Sequence, residues 1–263
     1  MEEHLKISAE HIEELKVAKE KLTNLIFAIE VMNYLGKPID KGIKLLPVRT
    51  QDIINKAVSK TLKKSIEIVN ITIPRKGGFL SSAGLNRAAV IASGGVGGFF
   101  GIAGLPIELP ISTGIMLRSI ISIAKNNGVD INSAQGKLSC IEVLALGGGN
   151  NTNQAENSYY AIRAVLAKAF EDAAKYIASK GLIEEGAPPI VKFMAQISSR
   201  FGITVTDKIA VEAVPIIGAA TGAVINLIFI NHFIRMAEGH FTIRRLEAIY
   251  GFEVVRDQYN LLD

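Results

Sequence analysis

The fold of this chain is decided by the apolar stretch AAVIASGGVGGFFGIAGLPIELPISTGIMLR, residues 88–118. Its first 20 residues, 88–107, carry no charge, and at ~1.5 Å per residue a helix of that length can cross a bilayer. Six glycines lower its helix propensity, but pairs such as Gly94 and Gly98 have the GxxxG spacing that lets two helices approach closely. The stretch predicts either a buried, glycine-packed helix or a hairpin that dips into a membrane, and both interpretations stay open.

A second charge-free run, VPIIGAATGAVINLIFINHF at residues 214–233, also carries a GxxxG pair, Gly218 and Gly222. Elsewhere apolar residues recur at the spacing of three and four that is typical of helices, and no alternating run is long enough to predict a sheet. These further helices are predicted at 110–126, 134–146, 156–180, 188–201 and 240–250. The predicted fold class is therefore mostly α: one multi-helix domain, residues 1–263, with two glycine-rich apolar helices or hairpins packed centrally.

The N-terminal third of the chain divides by charge. Residues 1–36 carry 7 acidic and 4 basic residues, and the apolar spacing after Ser8, a predicted N-cap, indicates an acidic amphipathic helix. Residues 37–87 carry 11 basic and 3 acidic residues. This basic segment immediately precedes the core, which is predicted to cover residues 88–250.

The basic segment contains a second predicted amphipathic helix, from about residue 50 to 69, whose polar side is rich in lysine. We expect this side to lie against an anionic membrane surface; a lysine face that contacts only solvent is the alternative, and it stays open. Nucleic acid is not expected as a partner, because the segment has no recognisable nucleic-acid-reading motif. The predicted lipid-binding residues are Lys56, Lys60, Lys63, Lys64, Arg75 and Lys76.

The sequence lacks the motifs of several classes of binding site and enzyme. The single cysteine, Cys140, forms no internal disulfide, and the polar start MEEHLK differs from a secretory signal, so we expect a cytoplasmic location. The four histidines lack the spacing of zinc ligands. The glycine runs match neither a dinucleotide-binding nor a phosphate-binding loop. We therefore expect no metal and no cofactor.

A few charged residues stand inside otherwise apolar helical patterns. Buried charges are costly unless they are paired, so we expect ion pairs between helices. If Pro110 opens a helix, Arg118 lies too far along it to reach Glu108. Arg163 is then the predicted partner of Glu108, and Glu142 the predicted partner of Arg118.

Two interpretations of these charges stay open. In one, they form a buried ion-pair network that fixes how the helices pack. In the other, Glu108 is a general acid or base, Arg118 or Arg163 binds an anionic group, and a tyrosine assists. The candidate catalytic residues are Glu108, Arg118, Glu142, Arg163 and Tyr159, with Tyr160 beside it.

Four segments together resemble the EcsC protein family. They are LPIELPISTGIMLRSIISIAKNNGVD from Leu105, CIEVLALGG from Cys140, SYYAIRAVLAKA from Ser158 and VPIIGAATGAVINLIFI from Val214. The resemblance covers about residues 75–250. The family's block falls on Leu105, Pro106, Glu108, Leu109, Pro110, Leu117, Arg118, Ser119, Glu142, Gly147 and Gly148. Gly114 departs from it, where a small β-branched or hydroxyl residue is expected.

The resemblance implies a bacterial, membrane-related accessory role, because the founding member is encoded beside the subunits of an ABC transporter linked to protein secretion. It implies no reaction. We therefore expect a non-enzymatic protein at the inner face of the cytoplasmic membrane, peripheral or partly inserted, acting with a transporter or another membrane protein. The alternative is a hydrolase-like enzyme on a lipid or peptide, with Glu108, Arg118 and Glu142 around one pocket.

Overall fold

The computed structural model describes residues 6–23, 46–47, 49–70, 101–147, 158–181, 183–184, 186–212 and 219–262. Within these ranges the chain forms helices and no strand, which confirms the predicted mostly α fold class. The helices are α1 (Ala9–Thr23), α2 (Thr50–Asn70), α3 (Gly101–Asn126), α4 (Ala134–Leu146), α5 (Tyr159–Lys180), α6 (Pro188–Glu212), α7 (Ala219–Tyr250) and α8 (Phe252–Leu261).

Short polar residues and glycine set several of the helix ends. The Ser8 hydroxyl accepts a hydrogen bond from the N–H of His11 at 3.3 Å, which confirms the predicted N-cap of α1. Ser133 and Ser158 cap α4 and α5 in the same way. α5 ends at Gly181, whose φ of 79° is the left-handed conformation that glycine adopts most easily.

The core is built around the short helix α4, which is buried over ten of its 13 residues. It contacts α2, α3, α5, α6 and α7. α7, the longest helix among the described residues, packs against α1, α3, α4, α6 and α8. Between α6 and α7 lies an aromatic cluster of Phe201, Phe229 and Phe233, with ring centroids 5.2 to 6.2 Å apart. Such pairs add about 0.5–1.5 kcal/mol each beyond the area that they bury.

The prediction that Pro110 opens a helix is wrong, because α3 begins at Gly101 and contains both Pro106 and Pro110. Each internal proline removes one backbone hydrogen bond and costs a helix about 3 kcal/mol or more. Burial on the other side of α3, where Leu105, Leu109 and Met116 are all buried, offsets this cost. The backbone around Glu108 is therefore helical and not extended.

Two other predicted helices are longer than the pattern indicated. The helix predicted at 188–201 continues to Glu212, and the one predicted at 240–250 is the last part of α7. The glycine-rich packing stays a prediction, since residues 88–100 and 213–218 lie outside the described residues. Among the described residues, the segment Gly104–Asn126 of α3 is long and apolar enough to cross a membrane. It is half buried in the fold, and the core helix of a soluble protein passes the same test.

Candidate functional site

The first group of buried charges surrounds Lys208 of α6, whose side chain is fully buried. Its ammonium Nζ donates hydrogen bonds to Oε1 and Oε2 of Glu108 on α3, at 2.9 and 3.0 Å. Nζ also lies 3.0 Å from Oε1 of Glu212, one turn further along α6. The Phe229 ring closes the site, with its centroid 5.8 Å from Nζ. We call these three charged residues the Lys208 cluster.

Two carboxylates share one ammonium in the Lys208 cluster, and this sets its electrostatics. Burial by itself lowers the pKa of Lys208, but Glu212 and Glu108 outweigh it and raise that pKa above its ordinary value. Burial, aided by the charge of Glu108, raises the pKa of Glu212 against the opposing effect of Lys208. Lys208 therefore stays charged, and Glu212 is a buried carboxyl that ionises less readily than an exposed one.

The second group of buried charges centres on Arg163 of α5 and Glu247 of α7. The guanidinium donates through Nη1 and Nη2 to the two carboxylate oxygens of Glu247, at 2.6 and 2.9 Å. Nη1 also donates to the Tyr159 hydroxyl at 3.2 Å, and the Tyr160 hydroxyl donates to Glu247 at 3.2 Å. The two charged side chains are only 10% and 7% exposed. This forked geometry is the strongest form of an arginine–carboxylate pair.

Aromatic rings surround the Arg163 guanidinium. Its central carbon lies 5.2, 5.5 and 5.6 Å from the ring centroids of Tyr159, Tyr160 and Phe252. Such contacts stabilise a cation, most strongly where water is excluded. The pKa of Arg163 is held above its ordinary value: burial lowers it, but Tyr159, Glu247 and Glu142 together raise it more.

A histidine extends this second group towards α4. The Tyr159 hydroxyl accepts from Arg163, so its proton is free for Nδ1 of His240, 3.0 Å away. A neutral His240 then carries its proton on Nε2, which lies 3.8 Å from a carboxylate oxygen of Glu142. Among the described residues Nε2 has no hydrogen-bond partner. We call Glu142, Tyr159, Arg163, His240 and Glu247 the Arg163 cluster.

The pKa values in the Arg163 cluster shift in opposite directions. Burial raises the pKa of Glu142, partly opposed by the charges of Arg163 and Arg244. Burial, followed by the charges of the same two arginines, holds the pKa of His240 well below 6.5. His240 is therefore neutral in the folded protein at pH 7, in agreement with the hydrogen bond that its Nδ1 accepts.

The low pKa of His240 predicts a loss of stability in acid. In the unfolded chain His240 takes up a proton near pH 6.5, whereas in the folded protein it does not. The contribution of His240 to the free energy of unfolding is therefore complete above that pH and decreases as the pH falls towards the folded pKa. The expected loss is about 1 kcal/mol between about pH 6.5 and 5.5. Glu142, whose folded pKa is raised, has the opposite sign and gains stability as the pH falls.

A comparison of denaturant unfolding at several pH values isolates the histidine. His240→Gln removes its titration and keeps Glu142, so the acid-induced loss seen in the wild-type protein should be absent from the variant. Parallel pH profiles for the two proteins would contradict the assignment of a neutral, buried His240.

Both predicted pairings are wrong. Glu108 pairs with Lys208 and not with Arg163, whose partner is Glu247. Arg118 is exposed on the outer face of α3, whereas Glu142 is buried and faces His240. The arrangement expected for a hydrolase-like site, with Glu108, Arg118 and Glu142 around one pocket, is therefore not assembled.

The sequence interpretation missed three residues that the structure places at these centres: Lys208, Glu247 and His240. Lys208 and Glu212 stand four apart in DKIAVEAV, a spacing that indicates an ion pair on one helix face. This signal was obscured because the helix was predicted to end at residue 201. No local pattern distinguishes Glu247 or His240, because their partners are on other helices.

The predicted lipid-binding residues divide between described and undescribed parts of the chain. Lys56, Lys60, Lys63 and Lys64 are exposed along one side of α2, opposite its buried face. Lys64 pairs with Glu67 on the same surface. Arg75 and Lys76 lie outside the described residues. We call the four exposed lysines the α2 lysine face.

Fold and site together define a class of protein: an all-α domain that holds two buried ion pairs between helices and exposes a basic amphipathic helix. The comparison with protein-family models identifies the family. The model of the EcsC protein family matches residues 9–246, which is most of the chain. The protein belongs to the EcsC protein family, and the resemblance inferred from its motifs is confirmed. Neither curated proteins nor solved structures gave a significant match.

Proposed function

We propose that this EcsC family member is a peripheral membrane protein that binds anionic lipid at the inner face of the cytoplasmic membrane through the α2 lysine face. It acts there as a non-enzymatic accessory protein, with a transporter or another membrane protein as its partner. The observation that carries the proposal is the exposure of all four lysines on one side of a well-packed helix.

Charge on this surface supports weak, reversible attachment. The exposed side of α2 carries four lysines together with Asp52 and Glu67. A basic residue near an anionic bilayer contributes about 1 kcal/mol. Salt screens this attraction, so it falls off over about one Debye length from the membrane surface. The surplus of two positive charges on α2 therefore supplies about 2 kcal/mol of electrostatic attraction. This is too little for stable attachment by itself, so neighbouring surfaces must also contact the membrane.

The geometry of the buried charges supports an accessory role over the hydrolase-like alternative. Both carboxylate oxygens of Glu108 accept hydrogen bonds from Lys208, and the Glu108 side chain is only 7% exposed. A general acid or base must reach the substrate directly or through one water molecule. A carboxylate that is held inside the core by an ion pair does not meet that requirement.

Vesicle flotation tests the proposal. The wild-type protein should float with vesicles of phosphatidylcholine mixed with phosphatidylglycerol, and should not float with phosphatidylcholine alone. Replacing the four lysines of the α2 lysine face with glutamine should abolish most flotation, since four lost charges at about 1 kcal/mol each weaken the affinity for lipid by about three orders of magnitude.

A matched control removes the same charge elsewhere. Lys168, Lys175, Lys180 and Lys192 are four exposed lysines on α5 and α6, and their replacement with glutamine should leave flotation unchanged. Equal losses in the two variants would mean that net charge matters and the α2 lysine face does not. A wild-type protein that stays at the bottom of every gradient would overturn the proposed function.

A further inference from the structure

The outer face of α3 presents isoleucines to solvent. Ile107 is 67% exposed and Ile111 is 49% exposed, although both belong to a helix whose other side is deep in the core. Ile107, Ile111, Gly114 and Arg118 follow one another at spacings of four, three and four, which places them along one stripe of the helix. The stripe is apolar towards the start of α3 and basic at Arg118.

This stripe adjoins the α2 lysine face. Lys60, Lys64 and Ile68 follow at spacings of four and therefore share a stripe of α2. A Cβ added at Gly114 would lie 3.2 Å from Cδ1 of Ile68, so the two stripes meet at the Ile68–Gly114 contact. α2 and α3 pack against each other, so the exposed lysines and the exposed isoleucines belong to two helices in direct contact.

We infer that Ile107 and Ile111 insert into the boundary between headgroups and acyl chains of an anionic bilayer while the adjoining lysines contact the headgroups. The inference rests on the proposed function and adds an apolar anchor to it. An amphipathic surface binds membranes through buried apolar area together with attraction to anionic lipid, and a single weak signal gives only marginal attachment. The contacting helices α2 and α3 provide one signal each.

Charge favours a bilayer over a second copy of the chain as the occupant of this surface. A symmetric dimer presents the same patch from both subunits, so two α2 lysine faces would meet each other there. Like charges across an interface cost several kcal/mol. An anionic lipid surface is complementary to the lysines and also accepts the isoleucines.

The absence of tryptophan from the sequence makes insertion directly measurable. Ile107→Trp places a single indole at the proposed anchor, and Val165→Trp places one at an equally exposed apolar position on α5, where Val165 is 65% exposed. On mixed phosphatidylcholine–phosphatidylglycerol vesicles, the indole at position 107 should shift its emission to the blue and be quenched by brominated lipid. The indole at position 165 should show neither change.

A second variant measures what the isoleucines contribute. Ile107→Ser combined with Ile111→Ser should weaken binding to the mixed vesicles about tenfold, and thermal unfolding should show that the variant is folded because both positions are exposed. Vesicle binding without a blue shift or quenching at position 107 would overturn the anchor and leave the proposed function standing. No vesicle binding by the wild-type protein would overturn both. A blue shift that appears without vesicles and grows with protein concentration would indicate self-association and also overturn the anchor.

Discussion

Lys208→Met is expected to lower the free energy of unfolding by about 3–5 kcal/mol at pH 7, the cost of removing one partner from a buried ion pair. Methionine fills most of the space of the lysine chain but leaves the carboxylates of Glu108 and Glu212 buried without their shared cation. Chemical denaturation followed by circular dichroism measures the loss. Most natural domains are stable by only 5–15 kcal/mol, so this variant is expected to be close to unfolding.

The loss should depend on pH. Carboxyl groups that are buried without a cation have folded pKa values raised above those of the unfolded chain. At pH values between the unfolded and the folded pKa of these carboxyl groups, the folded variant binds more protons than its unfolded chain. The free energy of unfolding of Lys208→Met should therefore rise as the pH falls. The difference from the wild-type protein should therefore shrink between about pH 8 and about pH 5.

Neutralising the whole Lys208 cluster provides the control for this prediction. Glu108→Gln and Glu212→Gln, added to Lys208→Met, remove every charge from the site, and replacing a complete buried group is often neutral or stabilising. The triple variant should recover most of the lost stability. A single Lys208→Met variant as stable as the wild-type protein, or a triple variant no better than the single one, would contradict the structural role of the cluster.

Arg163→Leu is expected to have an effect of similar size, about 3–5 kcal/mol. Without the guanidinium, Glu247 loses both of its short charge-assisted hydrogen bonds, and the nearby buried carboxyl of Glu142 loses the charge that most lowers its pKa. The Tyr159 hydroxyl also loses a donor. The same denaturation measurement applies.

Two control variants show whether charge or geometry matters at Arg163. Arg163→Lys keeps the charge but cannot form the forked pair, so it should be intermediate. Lys175→Ala removes a lysine from an exposed ion pair with Glu171 on the same helix and should change stability little. A lysine variant as stable as the wild-type protein would mean that the forked geometry contributes nothing.

The two buried clusters have a common structural consequence. Glu108 with Lys208 joins α3 to α6, and Arg163 with Glu247 joins α5 to α7. Each pair satisfies charges whose burial would otherwise be costly. Helix packing therefore accounts for Glu108 and Arg163, whereas the lysines of α2 and the isoleucines of α3 are exposed and available for an interaction.

Helix type and position were largely predictable from sequence, because apolar spacing and capping residues are local signals. The N-cap at Ser8 and the helix at residues 134–146 are examples, and both are confirmed. The start of α3 was not predictable in this way. Two prolines within five residues normally end a helix. The free energy gained by burying the core-facing side of α3 offsets their cost, and this burial is visible only in the tertiary structure.

The candidate site was predictable only in part. That Glu108, Glu142 and Arg163 are charges inside the core follows from their apolar surroundings in the sequence, and the structure places all three in buried or nearly buried positions. Their partners did not follow, because ion pairs between helices depend on crossing geometry and not on spacing along the chain. Arg118 shows the converse: on α3 it shares a stripe with exposed residues.

Cell fractionation into soluble, salt-released and detergent-released pools tests the central claim, peripheral attachment to an anionic membrane, most directly. Attachment through the α2 lysine face and a small apolar anchor predicts that the protein sediments with membranes at low salt and is released by high salt without detergent, because salt screens exposed charges. Recovery entirely in the soluble pool at low salt, or release only by detergent, would contradict that account.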